Sequence, residues 1–345
     1  MYSEKTLIDE IKELGSQNAD VFSVLENKSI FISGATGLIG NTLIKTIVTN
    51  VPSAKIIAFV RDENKAKKMF QNYEQNILFV TGDIREPVVF DGHVDYIIHA
   101  ASETSSKAFV EAPVSIIEIA LNGTKNMLDF AKQKNVQGFV YLSSMEIYGT
   151  PQNDDKIFEN HGTDLDTMNV RSSYSEGKRL CETLCAAYAC QFQVPAKVIR
   201  LTQTFGPGVQ YNDGRVFADF SRCAIENRDI VLHTKGDTKR SYLYTLDAAS
   251  AILTVLAKGK PTEAYNAANE DTYCSIYEMA QLVAQKITQG KIQVKVEETD
   301  ISSFGYAKTL HMNLDTSKLK ELGWQAKTNL SEMFSKTIES MTSLG

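Results

Sequence analysis

The chain has 345 residues, 43% hydrophobic and 23% charged, with a formal net charge of −6. That length buries a full core and holds one large domain beside a smaller one. A net-acidic chain without a long basic run excludes nucleic acid and anionic membrane as partners, and no apolar stretch reaches the roughly 20 residues of a membrane span.

Residues 1–27 read as an added helical segment with Leu7, Ile8, Ile11 and Leu14 on one face. That face packs either over the first domain or against a second copy of the chain. Met1 to Gly15 is too acidic for a signal peptide, so a cytoplasmic location is expected. Five cysteines leave at least one thiol unpaired. Cys181, Cys185 and Cys190 share one helical stretch and read as reduced core residues. No Cys/His cluster has zinc spacing, so no metal is expected.

From residue 28 onward, short apolar runs alternate with helical patterns. The runs are Ser29–Ser33, Lys55–Val60, Ile77–Val80, Tyr96–Ala100, Gly138–Ser143 and Ala196–Leu201. Continuous apolar runs of this length suit strands buried on both faces of a parallel sheet. Helical stretches Leu38–Asn50, Ser115–Lys132 and Ser175–Gln191 separate them. The alternation predicts an α/β fold with a doubly wound parallel sheet over residues 28–201. After Leu201 the rhythm breaks. Gly206, Pro207, Gly208 and Gly214 mark a loop, and Ile230–His233, Glu263–Ala268, Lys291–Glu297 and Asp315–Leu322 are shorter and mixed. Residues 202–244 and 259–345 therefore read as a smaller mixed α/β lobe, with Thr245–Lys258 packing back on the first domain.

The first strand runs into Gly34-x-x-Gly37-x-x-Gly40. In a strand–turn–helix setting, the first glycine permits the tight turn. The second admits a phosphate to the backbone, and the third lets the helix pack on its strand. The helix that follows offers free N–H groups to an anion. A dinucleotide is the expected ligand; the alternative is a tight corner with no ligand. At the end of the second strand, Arg61 suits the 2′-phosphate of NADP(H) by charge pairing. Asp62 is either the cap of the next helix or a ribose ligand. NADP(H) is favoured and NAD(H) is the alternative.

Tyr174 and Lys178 are four residues apart and share a helix face. An ammonium near a phenol, together with a cationic nicotinamide ring, stabilises phenolate, so the tyrosine can move a proton while hydride moves. Upstream, an apolar strand ends in Ser143, Ser144, Met145 and Glu146. A strand-end hydroxyl sits where ligands gather in open α/β sheets.

These motifs resemble the extended short-chain dehydrogenase/reductases, specifically the nucleotide-sugar epimerase/dehydratase family, over nearly all of residues 28–335. SGATGLIG resembles that family's first turn, TGDI its adenine segment, IIHAAS its fourth strand, NGTKN the helix near its active site, and LGWQAKTNLSE its C-terminal signature. The resemblance implies a Rossmann domain whose cofactor meets Gly34, Thr36, Gly37, Leu38, Ile39, Gly40, Arg61, Asp83, Ile84, Ala100, Ala101, Ser102, Asn122 and Leu142. It implies Tyr174 as general base and acid, Lys178 as the residue that lowers its pKa and holds the nicotinamide ribose, and Ser144 as the ligand of the reacting hydroxyl. It implies that Arg240 pairs with a nucleotide diphosphate, with Gln203, Arg215 and Tyr242 as further substrate contacts. A homodimer through the two long helices is expected on the same ground.

Glu146 bears on the reaction. Dehydratases of the family usually show Thr-Asp-Glu at this strand end; here Ser144-Met145-Glu146 replaces it, and methionine donates no proton. SMEIYG and RSSYSEGKR most resemble UDP-glucuronate decarboxylases. Arg61 fits instead a reductase that consumes NADPH on a nucleotide-linked keto-sugar or keto-polyol. Glu146 is either catalytic or a structural acceptor. A non-catalytic dinucleotide sensor is the alternative of another class, and the presence of Tyr174, Lys178 and Ser144 argues against it.

Overall fold

The computed structural model describes residues 3–105, 107–298 and 309–343. Its strands in chain order are β1 (Ser29–Ser33), β2 (Lys55–Val60), β3 (Ile77–Thr81), β4 (Tyr96–His99), β5 (Gly138–Ser144), β6 (Ala196–Leu201), β7 (Gln203–Phe205), β8 (Ile230–Leu232), β9 (Lys239–Tyr244), β10 (Ala264–Ala267), β11 (Asn269–Ser275), β12 (Val294–Val296) and β13 (His311–Met312). Seven of them form one sheet in the order β10-β6-β5-β4-β1-β2-β3, with every neighbouring pair parallel. This is the doubly wound α/β sheet that the alternation predicts.

Period-two alternation sorts each strand between two cores. Ile30, Ile32, Ile56, Ala58, Val140 and Leu142 face one apolar cluster, which the helix Thr245–Lys258 fills from Ala248 to Leu256. Phe31, Ile57, Phe59, Phe139 and Tyr141 face the other, beneath the helices Pro113–Lys134 and Ser172–Phe192. Burial on both faces explains the unbroken apolar runs. Pro113 opens its helix, where its missing N–H costs nothing, and Asn135 and Gln193 end the two long helices in left-handed conformations at φ 50° and 59°.

The smaller lobe is built on β9, which pairs antiparallel with β11 and parallel with β13 and β7 at its two ends. Its core holds Phe205, Phe217, Tyr242, Tyr244 and Phe334. The helix Glu4–Gln17 adds Ile11 and Leu14 to this core, while Val21, Phe22 and Leu25 join the first sheet's cluster. The N-terminal segment thus spans both. Among the described residues no helix is long and apolar enough to cross a membrane.

Two expectations change. Ala264–Ala267, assigned from sequence to the lobe, is the seventh strand of the main sheet, in register with Val198–Leu201. It lacks an apolar pattern because Asn266 sits in its middle, fully buried. Asn266 Oδ1 accepts from the Tyr148 hydroxyl at 2.7 Å and its Nδ2 donates to the Ile157 carbonyl at 2.9 Å. Cys190 is exposed, whereas Cys181 and Cys185 are buried, and all three are free. Five residues past Cys185 is about 140° around the helix, off the buried face.

Trp324 pins the C-terminal segment to the helix Thr245–Lys258, its indole N–H donating to Ser250 Oγ at 2.9 Å. Its ring is 2% exposed within the first core. Trp324→Ala is expected to cost about 3–5 kcal/mol in chemical denaturation; a loss below about 1 kcal/mol would show that this segment does not stabilise the sheet.

Candidate active site

The glycine turn separates into three steric roles. Gly34 has φ +70°, and a Cβ there would lie 2.7 Å from the Ala100 carbonyl carbon and the Ala101 nitrogen. A Cβ on Gly40 would lie 2.2 Å from the Gly34 oxygen. These two glycines let β1, its helix and the end of β4 close on one another. Gly37 differs: it is exposed, its φ is −77°, and a Cβ would meet only the Gly34 oxygen, at 3.3 Å. No side chain caps the amino end of the helix it opens. That open face over an uncapped helix start fits a pyrophosphate. Thr36, Leu38 and Ile39 are half-buried around it.

At the adjacent strand ends, Asp62 accepts a hydrogen bond from the Lys65 backbone at 2.9 Å, so its carboxylate caps its own helix. Arg61 beside it is exposed. Asp83 is gripped by Arg85 through two hydrogen bonds of 3.0 and 2.7 Å, and that pairing lowers its carboxyl to about 2. Ile84 is buried against Gly123. Asn122 is exposed on its helix, and Asn126 one turn later donates to the Ile84 carbonyl at 3.1 Å. Sequence reasoning missed Asn126; its spacing of four from Asn122 was the available signal. Ala100 and Ala101 are held in place by a buried relay. The Ala101 N–H donates to Ser33 Oγ at 3.3 Å, and Ser33 Oγ lies 2.7 Å from His99 Nδ1. Burial keeps that imidazole neutral, lowering it to about 3.

The structure brings Tyr174, Lys178 and Ser144 together. The helix Ser172–Phe192 packs along β5, and Lys178 Nζ donates to the Leu142 carbonyl at 2.7 Å. The ammonium lies 4.7 Å from the Tyr141 ring centre and 5.8 Å from that of Tyr174. Ser144 ends β5, and its Oγ accepts from the Glu146 N–H at 3.2 Å, starting the turn Met145–Tyr148. The Tyr174 ring stacks on Phe109 at 4.3 Å between centres, and the Arg171 guanidinium lies 5.9 Å from the Phe109 ring. Arg171 Nη1 also pairs with Glu146 at 3.3 Å. Phe109 did not stand out in the sequence, and Arg171 did so only as the first residue of RSSYSEGKR.

The chain's own groups weigh burial against charge at the phenol. Burial, followed by the charge of Glu146, raises the Tyr174 phenol. Hydrogen bonding with Ser144 and Ser102 and the charge of Arg215 pull it back only in part. Lys178 is lowered to about 8 by burial, with Cys181, Glu182 and Cys185 opposing. The net effect on Tyr174 is thus upward, because losing water outweighs every favourable charge.

On the lobe side, Gln203 and Tyr242 are register partners and Arg240 lies two residues before Tyr242, so all three share one face. Gln203 Oε1, Arg240 Nε and the Tyr242 hydroxyl are buried polar atoms without a protein partner. Tyr242, expected as a substrate contact, is 0% exposed and packs edge-on to Phe205 at 5.9 Å. Its ring belongs to the lobe's core because Phe205 and Tyr244 flank the same face. Arg215 is bound to Asp213 at 2.5 Å and lies 4.8 Å from the Phe217 ring.

The sequence profile of the NAD dependent epimerase/dehydratase family matches residues 30–268. The chain belongs to that family. It is 29% identical to UDP-glucuronic acid decarboxylase 3 of Arabidopsis thaliana, over 89% of this chain and 86% of the relative. An epimerase of Methanothermobacter thermautotrophicus matches its fold with a TM-score of 0.79 at 23% identity, over 94% of this chain and 95% of the other. The dTDP-glucose 4,6-dehydratase of Bacillus anthracis, solved in complex with NAD, matches with a TM-score of 0.73 at 20% identity, over 92% and 97%. The chain is therefore an enzyme of the extended short-chain dehydrogenase/reductase type, and its glycine cradle fits the dinucleotide in the family's name.

Gly37→Ala separates a ligand site from a plain corner. Stability is expected to fall by no more than about 1 kcal/mol, the cost of alanine in place of glycine at a helix N-cap whose φ of −77° any residue adopts. NAD(H) and NADP(H) binding, read by calorimetry, is expected to weaken about tenfold, or about 1.4 kcal/mol. Undiminished affinity would show that no phosphate lies over the turn.

Proposed function

We propose that this enzyme transfers hydride at a sugar carbon of a nucleotide-diphosphate sugar, with Tyr174, Lys178 and Ser144 as its catalytic groups. The observation that carries the reading is the convergence of Tyr174 with the hydroxyls of Ser144 and Ser102 at the carboxyl ends of adjacent parallel strands. When bound, a nicotinamide dinucleotide supplies the hydride acceptor or donor. Tyr174 then takes the proton of the reacting sugar hydroxyl or returns it, and Ser144 Oγ holds the same oxygen. Lys178 holds the ribose and favours phenolate.

The substrate side is supported by the unpartnered Gln203 Oε1 on β7 and Arg240 Nε on β9, both on half-buried residues. Each buried orphan costs roughly 1–3 kcal/mol, which a ligand that pairs with it recovers. Arg240 suits the diphosphate, and Gln203 suits a polar group of the substrate. Arg215 acts on Tyr174 through its charge and suits a second anionic contact.

Among reactions that start by oxidising such a hydroxyl, the strand end favours decarboxylation or epimerisation over dehydration. Met145 is buried, and its sulfur accepts from Thr202 Oγ1 at 3.2 Å, so no acid stands there to protonate a leaving hydroxyl. A 4-keto uronate needs none: its carboxylate lies β to the ketone, leaves as carbon dioxide, and the enolate takes up a proton. The curated decarboxylase relative supports this order of preference. A second reading, an NADPH-consuming reductase of a keto-sugar or keto-polyol, rests on Arg61. With Asp62 turned to its helix cap, an exposed guanidinium meets the adenosine ribose, which favours NADP(H) over NAD(H).

Mass spectrometry of products from a panel of nucleotide sugars, with each cofactor supplied separately, tests both readings. Product from a UDP-uronate without net cofactor use is expected, and stoichiometric NADPH consumption would transfer the assignment to the reductase. Tyr174→Phe is expected to lose at least 100-fold in turnover while still binding cofactor; unchanged turnover would remove Tyr174 as the base.

We also propose a homodimer. Val114, Ile117 and Leu180 on the two long helices are large apolar residues left exposed, at 67%, 42% and 45%. Analytical ultracentrifugation is expected to give twice the chain mass, reduced to the monomer by Leu180→Glu; a monomeric wild type would remove the assignment.

A further inference from the structure

Behind the catalytic strand lies a buried polar network that the chemistry above does not use. Glu182 is one helical turn past Lys178. Its carboxylate accepts from Ser143 Oγ at 2.5 Å and from Arg200 Nε and Nη2 at 3.0 and 2.7 Å. Arg200 Nη1 donates to the Tyr148 hydroxyl at 2.7 Å and to the Glu159 carbonyl at 2.6 Å. Tyr148 in turn donates to Asn266 on β10 at 2.7 Å. One carboxylate thus ties the catalytic helix to β5 beside Ser144 and, through Arg200, to the turn that carries Glu146.

Stability alone does not account for this pair. The side chains of Glu182 and Arg200 are only 13% and 11% exposed. Ions so buried forfeit much of their attraction to lost hydration, and an apolar pair of similar volume is often as stable. Its placement is more telling. The titratable groups facing Lys178 are Tyr141 on β5, His99 on β4, and Tyr174, Cys181, Glu182 and Cys185 on its own helix. Burial keeps His99 neutral and holds the Tyr141 phenol and the Cys185 thiol protonated. Glu182 is the carboxylate of this set.

We propose that Glu182, clamped by Arg200 and Ser143, is the positioning residue for Lys178: it sets the helix register against β5 and keeps a carboxylate one helical turn from the ammonium. The proposal rests on the reading of Tyr174 and Lys178 as the catalytic pair. Burial leaves Lys178 titrating near about 8, so its charge is open to such a neighbour.

NADH binding measured against pH, with thermal melting in parallel, tests it. Affinity of the wild type is expected to fall as pH rises through the Lys178 midpoint. Glu182→Gln is expected to lower that midpoint by about one unit. Glu182→Asp restores it, and Lys178→Met abolishes the step. Should Glu182→Gln fail to fold, the charge-free double variant Glu182→Leu/Arg200→Met carries the readout, with a smaller shift in the same direction. A folded variant with lowered Tm and an unmoved midpoint would overturn the proposal and leave Lys178 in place. A pH step that survives Lys178→Met would overturn both.

Discussion

The hydrogen bond from the buried Lys178 ammonium to the Leu142 carbonyl is the contact on which the site depends. Leu142 lies two residues before Ser144, and Tyr174 lies one turn before Lys178. Fixing Nζ on that carbonyl therefore fixes the phenol relative to the strand-end hydroxyl. The bond also limits what burial costs: a charge without a polar partner in such a place would be prohibitively expensive. Burial still lowers Lys178 to about 8, so at neutral pH most of the chains keep the charge. The sheet makes the contact possible. Tyr141 points to the helix side and Leu142 to the opposite core, and this alternation leaves the Leu142 carbonyl within reach of the helix.

The same burial raises the Tyr174 phenol and so disfavours its phenolate. Its ring is covered by Phe109, and Glu146 adds a negative charge that opposes phenolate. Arg171 answers that charge by pairing with Glu146, and it lies along Phe109. A phenol held this way gives or takes a proton according to the charge placed beside it.

What the sequence showed and what it hid follow from where each signal lies. Strands buried on both faces wrote themselves as apolar runs, and β1, β2 and β6 match their predicted bounds residue for residue. Tyr174 and Lys178 were legible because a spacing of four is a local statement about a helix. β10 was hidden because Asn266 is satisfied by Tyr148 and Ile157, more than a hundred residues away in the chain. Glu182 with Arg200, Phe109 with Tyr174, and Arg171 with Glu146 were hidden for the same reason: each partner's type is ordinary, and only the fold makes them a pair. Asp62 had two open roles, and its bond to the Lys65 N–H shows the capping one. Tyr242 was expected as a substrate contact on the strength of the resemblance alone. The lobe instead packs Phe205 edge-on to its ring.

The lobe's core and the catalytic tyrosine are joined through one residue. Arg215 lies over Phe217, Phe217 stacks on Phe205 at 4.6 Å between centres, and Phe205 packs edge-on to Tyr242, which shares its face with Gln203 and Arg240. At the other end, the Arg215 charge favours the Tyr174 phenolate. An anion that draws Arg215 from Asp213 would change the field at Tyr174 without touching it. A close-packed aromatic core transmits such a displacement because it has no slack to absorb it. On the proposed function, substrate held by the lobe and the proton affinity of Tyr174 would be coupled in that way.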